Sequence, residues 1–261
     1  MNAVAVEGGP SGAVSIRKIA ADQPWQWLSA SCRDLGRNPV ISLGYGLVFA
    51  LVSFVIAVGL YSIDAASLVL SLAAGFMLVG PVLAIGLYEA SRRIENGLPL
   101  SAKDVMFVKT RSPTQIAFLG ALLMVMLLAW MQISFLLFML FFGLHGLPPI
   151  EDFVSTLLLT WRGLGLLIVG TIVGGAIAFV VFSVSAISFP LLMVRDMDAV
   201  TAIITSMRAV QENPKPMVLW ALIVAALTAV GIGTLFIGLI VTFPLVGHAT
   251  WHAYRGLVED A

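Results

Sequence analysis

Followed position by position, the chain alternates between long uncharged apolar stretches and short segments in which apolar residues recur at helical spacing. A hydrocarbon core ~30 Å thick needs roughly 20 residues of helix to cross it, so runs of that length mark transmembrane candidates. Val40 to Tyr61 and Ala65 to Tyr88 form a hairpin around Asp64, while Ile116 to Leu144 and Gly163 to Val194 form two longer runs. The last run, Met217 to Gly247, has 31 residues, too many for one ordinary span and few for two. Its "GIGT" at 231–234 supplies a turn, because glycine breaks a helix at the least steric cost. The split gives Met217 to Ile232 and Thr234 to Tyr254. The predicted fold is all-α: a polytopic transmembrane bundle of six spans with amphipathic interfacial helices.

Those amphipathic pieces repeat. Val200, Ile203, Ile204, Met207 and Val210 share one helical face, opposite Thr201, Thr205, Arg208 and Glu212. Asp198 is a candidate N-cap, and Asn213-Pro214 ends the segment. The same design precedes the first span, with Trp25, Leu28, Cys32 and Leu35 as the apolar stripe and Asn38-Pro39 as the stop. Ser31, Arg33, Asn38 and Pro39 match Ser206, Arg208, Asn213 and Pro214 at a constant offset of 175. The hairpin exits match too: Gly75, Pro81, Tyr88, Ala90 and Arg92 align with Gly238, Pro244, Trp251, Ala253 and Arg255 at an offset of 163. These matches predict a parallel hairpin repeat with units of about 24–96, 101–195 and 196–255, each entered through an interfacial helix. The middle unit is degenerate, running from "TRSPTQ" to Phe189-Pro190. After Pro148-Pro149, Ile150, Phe153, Leu157, Leu158 and Trp161 predict one more short helix on the opposite surface, with Glu151 and Asp152 at its N-terminus.

Composition agrees with burial in lipid: 60% of residues are apolar, 11% are charged and the mean hydropathy is +1.03. Fourteen basic and fourteen acidic residues cancel, which argues against a nucleic-acid footprint, and the single Cys32 excludes an intrachain disulfide. Residues 1–22 lack the apolar core of a secretory signal and read as a flexible cytoplasmic tail, with 256–261 as a second tail around the single transmembrane domain, 23–255. Charge then sets orientation. Of the 14 Lys and Arg residues, 13 fall on the N-terminal side of a six-span topology and only Arg162 falls opposite. By the positive-inside rule both termini are cytoplasmic, in a multi-pass protein of the inner membrane. A five-span chain would move only Arg255. Trp25, Trp27, Trp161, Trp220 and Trp251 lie near span ends, as interfacial anchors do, and Trp130 alone reads as buried.

Candidate chemistry is sparse. The predicted spans carry no charged residue until Glu89 and the terminal histidines, so the groups that ion-coupled carriers use are missing. Gln132, Thr171, Ser183, Ser185 and Ser188 read as helix-to-helix or i−4 hydrogen-bonding groups. His248 and His252 in "GHATWHAYR" stand one turn apart, a spacing able to bind a metal or, with partners, haem; they are weak candidates, because His145 lies at the other membrane face. No cofactor is expected. In "GLYEASRRIENG", Tyr88, Glu89, Arg92 and Arg93 extend the second span, with Glu89 at pairing distance from either arginine; Glu95, six residues on, faces elsewhere. Gly170, Gly174 and Ala178 make a small-residue stripe for close helix contact. Walker, dinucleotide, nucleophile-elbow and zincin motifs do not occur.

Taken together, Gly80-Pro81 with Gly86, Tyr88, Glu89, Ser91, Arg92, Arg93 and Glu95, then Phe189-Pro190 with Asp196, Ala199, Ser206 and Asn213, and Pro244 with "GHATWHAYR", resemble one family. It comprises the bacterial integral-membrane proteins grouped as domain of unknown function 2189. The resemblance implies a multi-span inner-membrane protein, and some members are labelled cytochrome c oxidase subunits. This chain lacks the buried histidines of a catalytic oxidase subunit, so that label implies at most an associated one. The expected function is a non-catalytic accessory or scaffold subunit of a membrane complex, not an enzyme. Its expected partners are membrane lipids and other subunits, a respiratory oxidase among them, met through Tyr88, Glu89, Arg92, Arg93, Gly170, Gly174 and Trp251. The alternative is a transporter or channel for an apolar or neutral solute; a redox protein using His248 and His252 is a third.

Overall fold

A computed structural model describes residues 14–63, 65, 67–143 and 150–259. Twelve helices account for the regular structure among them: α1 (Gln23–Arg37), α2 (Pro39–Ser62), α3 (Ser67–Leu83), α4 (Ile85–Glu95), α5 (Ala102–Met106), α6 (Pro113–Phe142), α7 (Ile150–Leu159), α8 (Trp161–Ser185), α9 (Ser188–Val194), α10 (Ala199–Glu212), α11 (Pro214–Gly233) and α12 (Leu239–Leu257). An isolated bridge pairs Ile16 with Val258. Asp64, His145 and Pro148-Pro149 lie outside the described residues.

Among the described residues, four segments are long and apolar enough to cross a membrane: α2, α6, the continuous run Trp161–Val194 made by α8 and α9, and α11. The pair α3 and α4 adds a fifth if it is one span, bent by 42° at its break. Proline explains that bend, since Pro81 has no N–H to offer Met77 and its ring crowds that carbonyl. Pro190 stands in the same relation to Ala186, where α8 gives way to α9. The expected break at "GIGT" occurs, with Leu235 and Phe236 in left-handed backbone at φ 54° and 68°. However, α12, the expected sixth span, does not meet the test of length and hydropathy. Only Leu239 to Gly247 separate its start from His248.

Each repeated phrase does end one helix and start another. Pro39 and Pro214 occupy the first turn of α2 and α11, where a missing N–H costs nothing, and Asp198 caps α10 by accepting from Thr201 N at 2.8 Å. What the pattern did not reveal is which face turns inward. In α1 the buried residues are Pro24, Trp27, Ser31 and Asp34, while Trp25 and Cys32 of the apolar stripe are exposed. In α10 the buried face is Ala199, Ala202, Thr205, Ser206, Ala209 and Val210, leaving Val200 and Ile204 exposed. Small and polar side chains let these helices sit tightly against the bundle, and the bulky stripe is left for the surrounding lipid.

The last helix is the hub. Helix α12 packs against α1, α2, α4 and α11, and most of its residues are buried. Pro244 leaves Ile240 O without its i+4 donor, and Gly46 of α2 lies directly against that oxygen, where a β-carbon would collide. The stretch assigned to a flexible tail contributes too. Val14 and Ile16 are buried, Arg17 N donates to Leu257 O at 2.7 Å, and Asn213 Oδ1 accepts from Ile19 N at 2.9 Å. The C-terminal tail likewise begins late, since Leu257 and Val258 are buried. The tryptophans also differ from expectation: Trp27, Trp220 and Trp251 are buried along with Trp130, and only Trp25 and Trp161 are exposed. Three of the five expected anchors are therefore packing residues.

Candidate functional site

Four helices converge on a buried polar network. Asp34 from α1, Ser42 from α2, Ser91 from α4 and His248 from α12 are all buried, and His252, one turn further along α12, closes the group from the more open side. Ser91 Oγ donates to Asp34 Oδ2 at 2.7 Å and has no second proton. Its 2.7 Å contact with His248 Nδ1 must therefore be a bond that the imidazole donates. That fixes a neutral His248 as the Nδ1–H tautomer, leaving Nε2 to accept from Ser42 Oγ at 2.9 Å. Asp34 Oδ2 also accepts from His252 Nε2 at 2.8 Å.

In this order the groups resemble a hydroxyl, imidazole and carboxylate relay. Chemically it can hold or pass a proton between His252 and Ser42. Ser42 itself is fully buried, so its hydroxyl serves the network rather than an open surface. Burial pushes the Asp34 carboxyl up, but hydrogen bonds from His252 and Ser91 outweigh it and hold the group below the ordinary carboxylate range.

The histidine pair does share a helix face, yet both His248 nitrogens are engaged and His252 points at Asp34. Among the described residues no group of three or more His, Cys, Asp or Glu side chains is arranged to hold a metal. Sequence reasoning missed Asp34, Ser42 and Ser91 as members. A signal for Asp34 existed: the repeat offset of 175 sets it opposite Ala209, and both positions are buried.

The Glu89 cluster forms as expected and more fully. Glu89 is buried and accepts from Arg92 Nε at 2.7 Å, Arg92 Nη2 at 2.8 Å and Arg93 Nε at 2.8 Å. Arg93 also pairs with Asp104 at 2.9 Å, tying α4 to α5. Glu95 turns to α12, taking Trp251 Nε1 at 3.0 Å and Arg255 Nε at 2.9 Å, so the two carboxylates do part. Tyr88 is buried, with its hydroxyl donating to Pro81 O at 3.1 Å. Tyr88 and Trp251 thus contact other helices of this chain, while Glu89 pairs within α4.

Beside the network lies a cavity of about 790 Å³, walled by α3, α6, α8, α11 and α12. Phe76, Trp130, Phe138, Phe182, Trp220 and Phe243 supply much of its apolar surface, and among the described residues no charged one lines it. Most hydroxyls on its wall are already committed. Ser71 and Ser134 bond each other at 2.5 Å, while Ser185 and Thr250 donate to i−4 carbonyls at 2.7 and 2.8 Å. The ring of helices is incomplete, because α8 and α11 barely touch. Gly174 does make the close contact expected of the small-residue stripe, lying under the Trp130 ring, but Gly170 faces open space in the cavity wall.

A family model described as "Predicted integral membrane protein (DUF2189)" matches residues 68–194. Over those residues, just under half of its length, the chain is similar to that family. The match runs from α3 to α9 and includes Ser91 and the Glu89 cluster, while Asp34, Ser42, His248 and His252 fall outside it. No curated protein and no solved structure matches the chain.

Proposed function

We propose that this multi-pass membrane protein binds an apolar or neutral molecule taken from the bilayer and carries or conducts it: a transporter or channel for an uncharged solute. The cavity supports this reading. It is open on one side, so a molecule from its surroundings can fill it. Water is a poor filler, since a water molecule needs two to four polar partners and this wall is apolar. Hydrocarbon is a good one, and the gap between α8 and α11 gives it a sideways entrance. The size also falls within the ~300–1,000 Å³ of ligand pockets. In this reading the basic face is cytoplasmic and the membrane is the bacterial inner membrane. The relay behind α12 serves to fix that wall.

Gly170 and Gly175 line the cavity with no atom within 4 Å of an added β-carbon, so leucines there fill space without a clash at that atom. With N-phenyl-1-naphthylamine as a neutral probe, energy transfer from tryptophan should report binding to the reconstituted wild type. Gly170→Leu/Gly175→Leu should weaken it about tenfold, the equivalent of ~1.4 kcal/mol. Equal transfer in both proteins would end the proposal. If a stable partner also co-purified in mild detergent, the accessory-subunit reading would take its place.

A further inference from the structure

Helices α11 and α12 look like two spans in sequence, but their depth in the bundle argues otherwise. Backbone contact between Gly46 and Ile240 fixes where the tip of this hairpin lies along α2. The phenyl groups of Phe49 and Phe243, 4.9 Å apart, and the bond from Ser42 to His248 set the same register. Beyond Gly46, α2 runs on for 16 residues to Ser62, about 24 Å at ~1.5 Å per residue, while α12 begins only one residue before Ile240. Consistent with this, no residue of α2 after Ala50 is buried. Nine residues, Leu239 to Gly247, reach only ~13 Å before the polar network begins, less than half of a ~30 Å hydrocarbon core.

We infer that α11 and α12 form a re-entrant hairpin, which enters and leaves the bilayer at the basic face with its tip among the lipid acyl chains. The tip suits that solvent. Leu235 and Ile237 are 73% and 68% exposed, and 231–238 holds one polar side chain, Thr234. A turn within hydrocarbon has to satisfy its own backbone, since lipid tails offer no hydrogen bonds. Here the N–H groups of Thr234 and of Phe236 through Thr242 all find acceptors inside the hairpin. Thr234 Oγ1 does part of this, accepting from Gly238 N at 2.9 Å and donating toward Val230 O at 2.9 Å. The membrane is then crossed in full by α2, by α3 with α4, by α6 and by α8 with α9, which keeps both chain ends on one side. The inference does not depend on what occupies the cavity.

Single cysteines in a Cys32→Ser background test it in sealed proteoliposomes. Ile63→Cys, at the far end of α2, should react with a membrane-impermeant maleimide from the face opposite to Leu98→Cys. Leu235→Cys and Ile237→Cys should stay unlabelled from both faces and react after detergent is added. A fluorophore on Leu235→Cys should be quenched most by lipids brominated near mid-chain. Labelling at 235 or 237 from either face of intact vesicles, or strongest quenching at headgroup depth, would overturn the re-entrant hairpin. The label is read on exposed residues, and Ile63→Cys and Leu98→Cys verify that the protein has inserted.

Discussion

Helices α1 and α10 carry nearly the same phrase, and they are used differently at one position. Both bury a serine at the same register: Ser31 Oγ donates to Leu245 O at 2.7 Å and Ser206 Oγ donates to Ser183 O at 2.8 Å. One turn later α10 buries Ala209, whereas α1 buries Asp34. The alanine makes a plain packing surface. The aspartate recruits Ser91, His248, His252 and, through the imidazole, Ser42. A single departure from a repeated pattern thus separates a helix that packs from one that organises a polar centre, because a buried carboxylate is tolerated only when several donors surround it.

Exchanging that position should produce the largest effect. Ala209→Asp places a carboxylate at a fully buried site built for a methyl group, and it should cost about 3–5 kcal/mol, the usual penalty for an uncompensated buried charge. Asp34→Ala should cost less, about 1–3 kcal/mol, by stranding Ser91 and His252. Unfolding midpoints in mild detergent give the order, and a milder Ala209→Asp would mean that the two registers are not equivalent.

A smaller effect belongs to acid. The folded pKa of Asp34 lies below its unfolded value, so its contribution is complete above the unfolded value of ~4 and is lost as pH falls through the folded one. Between pH 7 and 3 the wild type should therefore lose stability that Asp34→Asn does not lose; parallel curves would remove the carboxylate from the account. Smallest of all, Ser31→Ala should cost about 1 kcal/mol, the worth of one serine-to-carbonyl bond, and Ser206→Ala should cost more, since Ser206 Oγ also accepts from Ile187 N at 3.2 Å; unfolding midpoints that coincide would mean that this second bond contributes nothing.

Much of the architecture was legible because helix length is imposed directly by the bilayer. The starts of α2, α10 and α11 could be read from Pro39, Asp198 and Pro214, and Glu89 found the arginines its spacing offered. The inward faces of α1 and α10 could not be read, because an apolar stripe beside lipid is no longer a signal for the core. Nor could the site: Asp34, Ser42, Ser91 and His248 come from four helices up to 214 positions apart, counting from Asp34 to His248. Periodicity describes one helix at a time and carries no information about which helices cross. Depth was equally hidden, since hydropathy counts apolar residues without saying where along the bilayer normal a helix begins.

Pro244 gives the bundle a mechanical property. By stripping one donor from α12 it frees the oxygen on which Gly46 rests, and two backbones meet with no side chain between them. Only Leu239 of α12 lies beyond that point, so the contact pins the start of the helix to α2 and leaves the stretch that carries His248 and Trp251 to be anchored by its own hydrogen bonds.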